Sequence, residues 1–299
     1  MKTLPALISR NFRLFFKDKG VFFTSLITPV ILLVLYATFL GNVYRDSFLS
    51  GMPQGLTVPD SLVDGCVGGQ LLSSLLAVSC VTVAFCANML MVADKTTGAL
   101  RDLTVAPVKP ATLAISYYLA TLRSTLLVSF VAVGAGLLYL GKVGWYLSWA
   151  DVGLMALDVA LLVMFGTALS SVINTFLTTQ GQISAVGTIV SSGYGFICGA
   201  YMPISNFAPG LQKVLSFLPG TYGTALIRNH AMGGVFEEMG RQGFPEEVVE
   251  GIRDSVDCNL YFFGNAVSQG AMYGILSVSV AALIGAYVLI HILRQRKKR

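Results

Sequence analysis

Polar and apolar positions fall along this chain in long blocks, not in short alternations. Apolar runs of about 20 residues, the length that crosses ~30 Å of hydrocarbon, occur at 21–40, 62–92, 111–140, 152–173, 181–202 and 270–292. Period-two alternation of the kind that builds a transmembrane barrel is absent. A backbone in lipid must satisfy its own hydrogen bonds, which leaves a helical bundle. The expectation is an all-α membrane protein with six transmembrane helices.

The polar stretches between these runs carry their own signals. Residues 4–19 place Leu4, Leu7, Ile8 and Phe15 at helical spacing and gather Arg10, Arg13 and Lys17 on another face, which predicts a helix lying on the membrane surface. A secretory signal peptide fits less well, because the next apolar run is too long and lacks a small-x-small cleavage site. Residues 42–60 are rich in Gly and Pro and are expected to be irregular. Residues 94–110, DKTTGALRDLTVAPVKP, form a short charged insert between two apolar runs. Thr96, Thr97 and Gly98 can start a turn there, residues 100–103 can form one or two turns of helix, and Pro107 and Pro110 end it. A projecting helix and a solvated turn are both readings of these residues alone.

Farther on, Pro203, Pro209 and Pro219 cut residues 201–234 into apolar pieces too short to cross a bilayer, predicting two re-entrant or interfacial helices near 208–218 and 221–232. Residues 235–258 then turn acidic, and Pro245-Glu246-Glu247 starts a helix with Val248, Ile252 and Val256 on one face. This predicts a small external cap.

Composition strengthens the membrane reading. The chain is 55% hydrophobic and only 12% charged, where a soluble domain carries about 25% charged residues; its mean hydropathy is +0.72. The net charge of +5 follows topology and does not point to nucleic acid. Lys2, Arg10, Arg13, Lys17, Lys19, Lys95, Arg101, Lys109, Arg294, Arg296, Lys297, Lys298 and Arg299 make up 13 of the 20 basic residues, and six spans put them all on one side. The positive-inside rule then assigns both termini and the 94–110 loop to the cytoplasm. Trp145, Tyr146 and Trp149 fit an aromatic belt at the opposite interface. The five cysteines show no metal-ligand spacing; Cys66 and Cys258 fall on the external side, where a disulfide and two free thiols both stay open.

Polar residues inside the runs are few. Arg123 and Asp158 are expensive at mid-bilayer, at least ~2.5 kcal/mol on insertion scales, and either pair with each other or reach an interface. Ser184, Thr188, Ser191, Gly195 and Gly199 recur at helical spacing, a stripe for close helix contact within the bundle or across a dimer. Catalytic signatures are missing. Gly136…Gly141-Lys142 matches a phosphate loop except that Val143 stands where Ser or Thr should be, and it ends an apolar run instead of joining a strand to a helix. The two histidines, His230 and His291, fall on opposite predicted sides. No metal, no cofactor and no reaction of the chain's own is expected.

Taken together, the arrangement resembles the permease subunits of ABC-2 type ABC transporters. Phe16-Lys17-Asp18-Lys19 before a first run with Pro29 is similar to the family's connecting helix and entry to the first membrane helix. Asp94, Lys95, Gly98, Leu100, Arg101, Asp102 and Leu103, followed by Ala106-Pro107, resemble its coupling helix, which docks on the ATPase. Met202-Pro203, Pro209, Pro219-Gly220-Thr221-Tyr222 and Arg228 are similar to its re-entrant external segment. Thr97 stands where a second acid is common, and Gly220 interrupts the usual Asn-Pro-Leu-Thr-Tyr run.

The resemblance implies a connecting helix at 1–19 and a six-helix domain at 20–299. Within that domain it implies a coupling helix in 94–110 and re-entrant helices in 204–233; the external cap at 234–268, read from its acidic residues, lies outside the family's common pattern. The resemblance further implies a second permease chain, identical or paralogous, and separate ABC ATP-binding subunits that supply ATP and Mg. The setting would be the bacterial cell membrane among its lipids, and transport would run outward. Low intramembrane charge favours a hydrophobic or amphiphilic cargo. A membrane sensor or scaffold whose cap binds a ligand is the alternative; a membrane enzyme is disfavoured for want of acid–base residues.

Overall fold

The computed structural model describes residues 3–50, 58–105 and 108–296. It is helical throughout, apart from a short antiparallel hairpin pairing Tyr261–Phe262 with Asn265–Ala266. Helix α1 (Thr3–Lys17) is amphipathic and buries Leu7, Asn11 and Phe15. Asp18 caps the next helix by accepting the Val21 amide. That helix, α2 (Lys19–Leu35), contains Pro29, passes into a π-helical turn at Tyr36–Leu40 and continues as α3 (Gly41–Ser50). Residues 42–50 are therefore helical; 51–57 lie outside the described residues. Arg45 pairs with Asp60 and Asp64 and ties α3 to the helix that follows.

Helix α4 (Asp60–Thr96) is the centre of the fold. Its 37 residues span ~55 Å at the usual helical rise, and α2, α3, α6, α7, α8 and α10 all pack on it. Of its apolar window 89% is buried, against 17% for the last helix. Gly98, at φ +86°, ends it with a left-handed turn that suits a residue without a Cβ. The short α5 (Ala99–Val105) follows, and α6 (Pro110–Val143) begins with Pro110 at its first position. Ala106 and Pro107 lie outside the described residues.

Helix α7 (Trp149–Phe176) starts at a capping box of Ser148 and Asp151 and runs back antiparallel to α6. Next come α8 (Gln180–Ile197), α9 (Pro209–Leu215), α10 (Pro219–Arg241), α11 (Glu246–Ser255) and α12 (Gln269–Arg296). Among the described residues, five helical stretches are long and apolar enough to cross a membrane: Lys19–Asp46, Asp60–Thr96, Pro110–Val143, Trp149–Phe176 and Gln269–Leu293. They coincide with five of the six apolar runs. The sixth run, at 181–202, becomes α8, whose 18 residues include Gln180, Gln182 and several Ser and Gly, so it is less apolar than the others.

The second short helix expected near 221–232 is instead the 23-residue α10, which continues through Gly233-Gly234. A Cβ at Gly234 would sit 1.8 Å from the Tyr146 carbonyl oxygen, so this glycine serves the approach of another backbone and does not end the helix. α10 packs on α4, α7 and α12 and is buried along most of its length.

Candidate functional site

Two polar constellations stand out along α4, one at its Thr96 end and one level with Ser74, near its middle. At one end, α5 projects between α4 and α6. Its Leu100 and Leu103 pack against a cluster of Leu7, Met91, Leu113 and Tyr117. The opposite face presents Arg101 and Asp102, both exposed, and Val105, 86% exposed. An apolar side chain so far out of the core on a seven-residue helix is available for contact with another protein.

The first two residues of the expected docking set face inward. Asp94 is buried and takes both forks of the Arg10 guanidinium, at 2.7 and 3.1 Å, together with a proton donated by the Tyr117 hydroxyl at 2.6 Å. This bidentate, charge-assisted geometry is the strong form of ion pair, and it joins α1, α4 and α6. Lys95 Nζ donates to the carbonyl oxygens of Asn174, Thr175 and Leu177, at 2.9, 3.2 and 3.2 Å, and so covers the C-terminal end of α7. Gly98 is the turn between α4 and α5.

At the level of Ser74, Arg228 on α10 is fully buried. It donates to the Val256 carbonyl at 2.6 Å, the Gly199 carbonyl at 2.9 Å and the Ser74 hydroxyl at 3.3 Å, with Asp257 3.7 Å away. Asp257 in turn accepts the amides of Ile204 and Ser205. Burial pushes the Asp257 carboxyl up, against the opposing pull of Arg228 and these amides. One cation thus binds the cap, the end of α8, α4 and α10 together. Pro203 precedes a single 3₁₀ turn at Ile204–Asn206, while Pro209 and Pro219 open α9 and α10. Tyr222 donates to the Ser216 carbonyl and closes the α9–α10 corner.

The pairing of Arg123 with Asp158 does not form. Arg123 lies in the first half of α6, beside α1, where its guanidinium stacks 4.4 Å from the centre of the Phe12 ring. Asp158, fully buried on α7, has His230 Nδ1 at 2.5 Å and accepts from the Tyr273 hydroxyl. Sequence reading missed this cluster because its members lie on three separate segments. The signal was there: a carboxylate inside an apolar run requires a donor, and His230 and Tyr273 are the polar residues that α10 and α12 bring to that level.

The small-residue stripe divides. Ser184 and Thr188 are exposed, and the Thr188 hydroxyl bonds back to the Ser184 carbonyl. The Ser191 carbonyl accepts from Thr28 on α2. Gly195 is buried against the Tyr201 ring, and Gly199 supplies its carbonyl to Arg228. Cys66 and Cys258 lie in one buried apolar cluster as free thiols. Near the cap, a recess of about 520 Å³ is lined by Lys213, Asp254, Asn259, Tyr261 and Phe263, among others. Among the described residues no group of three or more His, Cys, Asp and Glu could hold a metal ion.

A search of curated proteins gave no match. The family model described as ABC-2 type transporter matches residues 3–230, from α1 through the buried Arg228. That match covers well over half of the chain, which therefore belongs to the ABC-2 type transporter family as a multi-pass transmembrane permease component of an ABC transporter.

Proposed function

We propose that the chain is the permease of an ATP-driven exporter, working with a second permease chain and taking its driving force at α5. The observation that carries this reading is the inverted character of α5: its leucines are tied into the bundle, while Arg101, Asp102 and Val105 face outward. Family membership brings an ABC ATP-binding partner with it, and α5 is the connection between spans best shaped to receive one. Closure of the ATPase pair would push α5, tilt α4 and open a path between two copies. The Asp94 end is then cytoplasmic, with both termini on that side of a bacterial cell membrane. α8 serves as the sixth crossing: Lys95 reaches Leu177 just before its start, and Gly199 meets Arg228 just after its end. Its 18 residues give ~27 Å, close to the ~30 Å of hydrocarbon. The descending α9 and rising α10 form the re-entrant pair, and the apolar interior suits a hydrophobic or amphiphilic cargo.

The test is ATP hydrolysis by the assembled complex in nanodiscs. Reversing Arg101→Glu and Asp102→Lys together with Val105→Glu should lower ATPase binding about 30-fold, the effect of a ~2 kcal/mol hot spot, and abolish its coupling to transport. Full coupling in that triple variant would refute α5 as the docking element. The recess beside the cap favours a second reading, a sensor or scaffold subunit that binds an external ligand. ATP-dependent movement of a labelled amphiphile in sealed vesicles supports the exporter; ligand-dependent ATPase without movement supports the sensor.

A further inference from the structure

Among the described residues, a large apolar recess opens on the outside of the bundle. A slot of about 890 Å³ runs between α2, α4 and α6, walled by Pro29, Tyr36, Leu75, Val131 and Ala135 among others. That volume falls in the range of sites that hold drug-sized ligands, ~300–1,000 Å³. The slot is built into the helices. Ala37 of the π turn and Gly41 at the start of α3 line it together with Ala132 and Ala135 on α6. Small residues in lipid ordinarily let helices touch, as Gly136 does against Leu72 of α4; along the slot they border open space instead. α2 is also deformed twice along this wall, by Pro29 and by the π turn at Tyr36–Leu40, and π turns of this kind gather at functional sites. Tyr36 holds the deformation by donating to the Val67 carbonyl.

The slot has a polar mouth at the α1 end. Phe16 and Val128 line it there. One helical turn farther toward α1, Arg123 is exposed and stacks on Phe12. No carboxylate pairs with Arg123 among the described residues, and the other cations of α1, Arg13 and Lys17, are exposed too. From Leu127 to Tyr139 the α6 wall is ~18 Å long, slightly more than one leaflet of a hydrocarbon core ~30 Å thick.

We propose that this slot seats a resident phospholipid, its acyl chain along α2 and α6 and its phosphate against Arg123. Charge and shape choose this occupant. A two-fold axis along the membrane normal would put the second copy's Arg123, Arg13 and Lys17 at the same depth as the first's, adding like charge to like charge. A phosphate supplies the anion that the arginine fork recognises, and a single chain fills a narrow apolar channel. The lipid holds α2 away from α6 and so fixes the position of the first span. This inference needs only the membrane setting, not the ATPase partnership, so its failure and that of the export reading are separable.

The test uses the full-length chain in nanodiscs containing phosphatidylglycerol with a photoactivatable acyl chain. In the wild-type protein the label should attach to α2 and α6. Val131→Trp with Ala135→Trp fills the slot from its exposed side and should abolish the labelling. Arg123→Gln should reduce it about fivefold, the fold-change of the ~1 kcal/mol that one basic side chain contributes near an anionic surface, and Arg123→Lys should restore part of it. Undiminished labelling in the filled variant overturns the proposal, as does equal labelling by a neutral diacylglycerol probe. Cross-links between two chains through Val131 in place of lipid would assign the slot to a second copy. Loss of the label on ATP turnover, once the ATP-binding subunits are co-reconstituted, would make the lipid a cargo and overturn its residence.

Discussion

Two levels of α4, its Thr96 end and the turn around Ser74, are each fastened by an arginine, but in different ways. At the Asp94 end the contact is side chain to side chain: Arg10 keeps 32% of its side chain in solvent and grips a single carboxylate. At the Arg228 level the cation is fully enclosed and donates to backbone carbonyls of two separate segments as well as to Ser74. A side-chain pair whose arginine reaches the surface can be remade after a displacement, since water and lipid headgroups compete for the guanidinium. A guanidinium bonded to buried carbonyls has no such alternative. The contrast fits the proposal made above, in which the α5 end moves and the level where the cap sits stays clamped.

Breaking the clamped level should have the largest effect. Arg228→Ala strands Asp257 and the carbonyls of Val256 and Gly199, and removal of one member of a buried pair costs about 3–5 kcal/mol. Thermal unfolding in detergent should fall accordingly, and Arg228→Lys should not rescue it, because one ammonium cannot reach acceptors spread around a planar fork. Gly234→Ala comes next: its Cβ would collide with the Tyr146 carbonyl, and overpacking of this kind costs about 1–3 kcal/mol, read in the same assay. Asp94→Asn keeps the shape but loses the charge-assisted bonds to Arg10, worth about 1.5–3 kcal/mol. Hydrogen exchange should rise in α1 and α5 and remain unchanged in α10 and α11. Arg10→Gln should repeat that pattern more weakly, because its partner keeps Tyr117. The comparison is sharpened if the Asp94 and Arg228 effects add within about 0.5 kcal/mol, as independent sites do; strong coupling would show that the two levels are not separate.

Much of the fold was legible in the chain because lipid leaves few options. Apolar blocks located five long helices to within a few residues of 62–92 or 111–140, and the helices then overran those limits, since a backbone ladder continues through polar ends such as Asp60 and Thr96. The weaker apolarity of α8 hid behind its isoleucines and valines. The length of α10 could not be read, because Gly233-Gly234 looks the same whether it ends a helix or admits a neighbouring carbonyl. The candidate site was half visible. Local chemistry marked the turn at Gly98 and the short helix after it. It could not tell which charges face outward, because the partners of Asp94 and Lys95 are Arg10, Tyr117 and the end of α7, all distant in sequence. Asp158 advertised its need for a partner but not which residue met it.

Between Gln70 and Thr96, α4 contains neither proline nor glycine, so for ~40 Å it has no natural point at which to flex. The paired glycines Gly68 and Gly69 follow at once, with Gly69 seated against Ala231 and Met232 of α10. A stiff shaft carries its tilt undiminished to whatever is seated closely against it, here α10 on Gly69. Whatever tips the Thr96 end is therefore felt first where α10 leans on those two glycines, beside the residue that holds the cap.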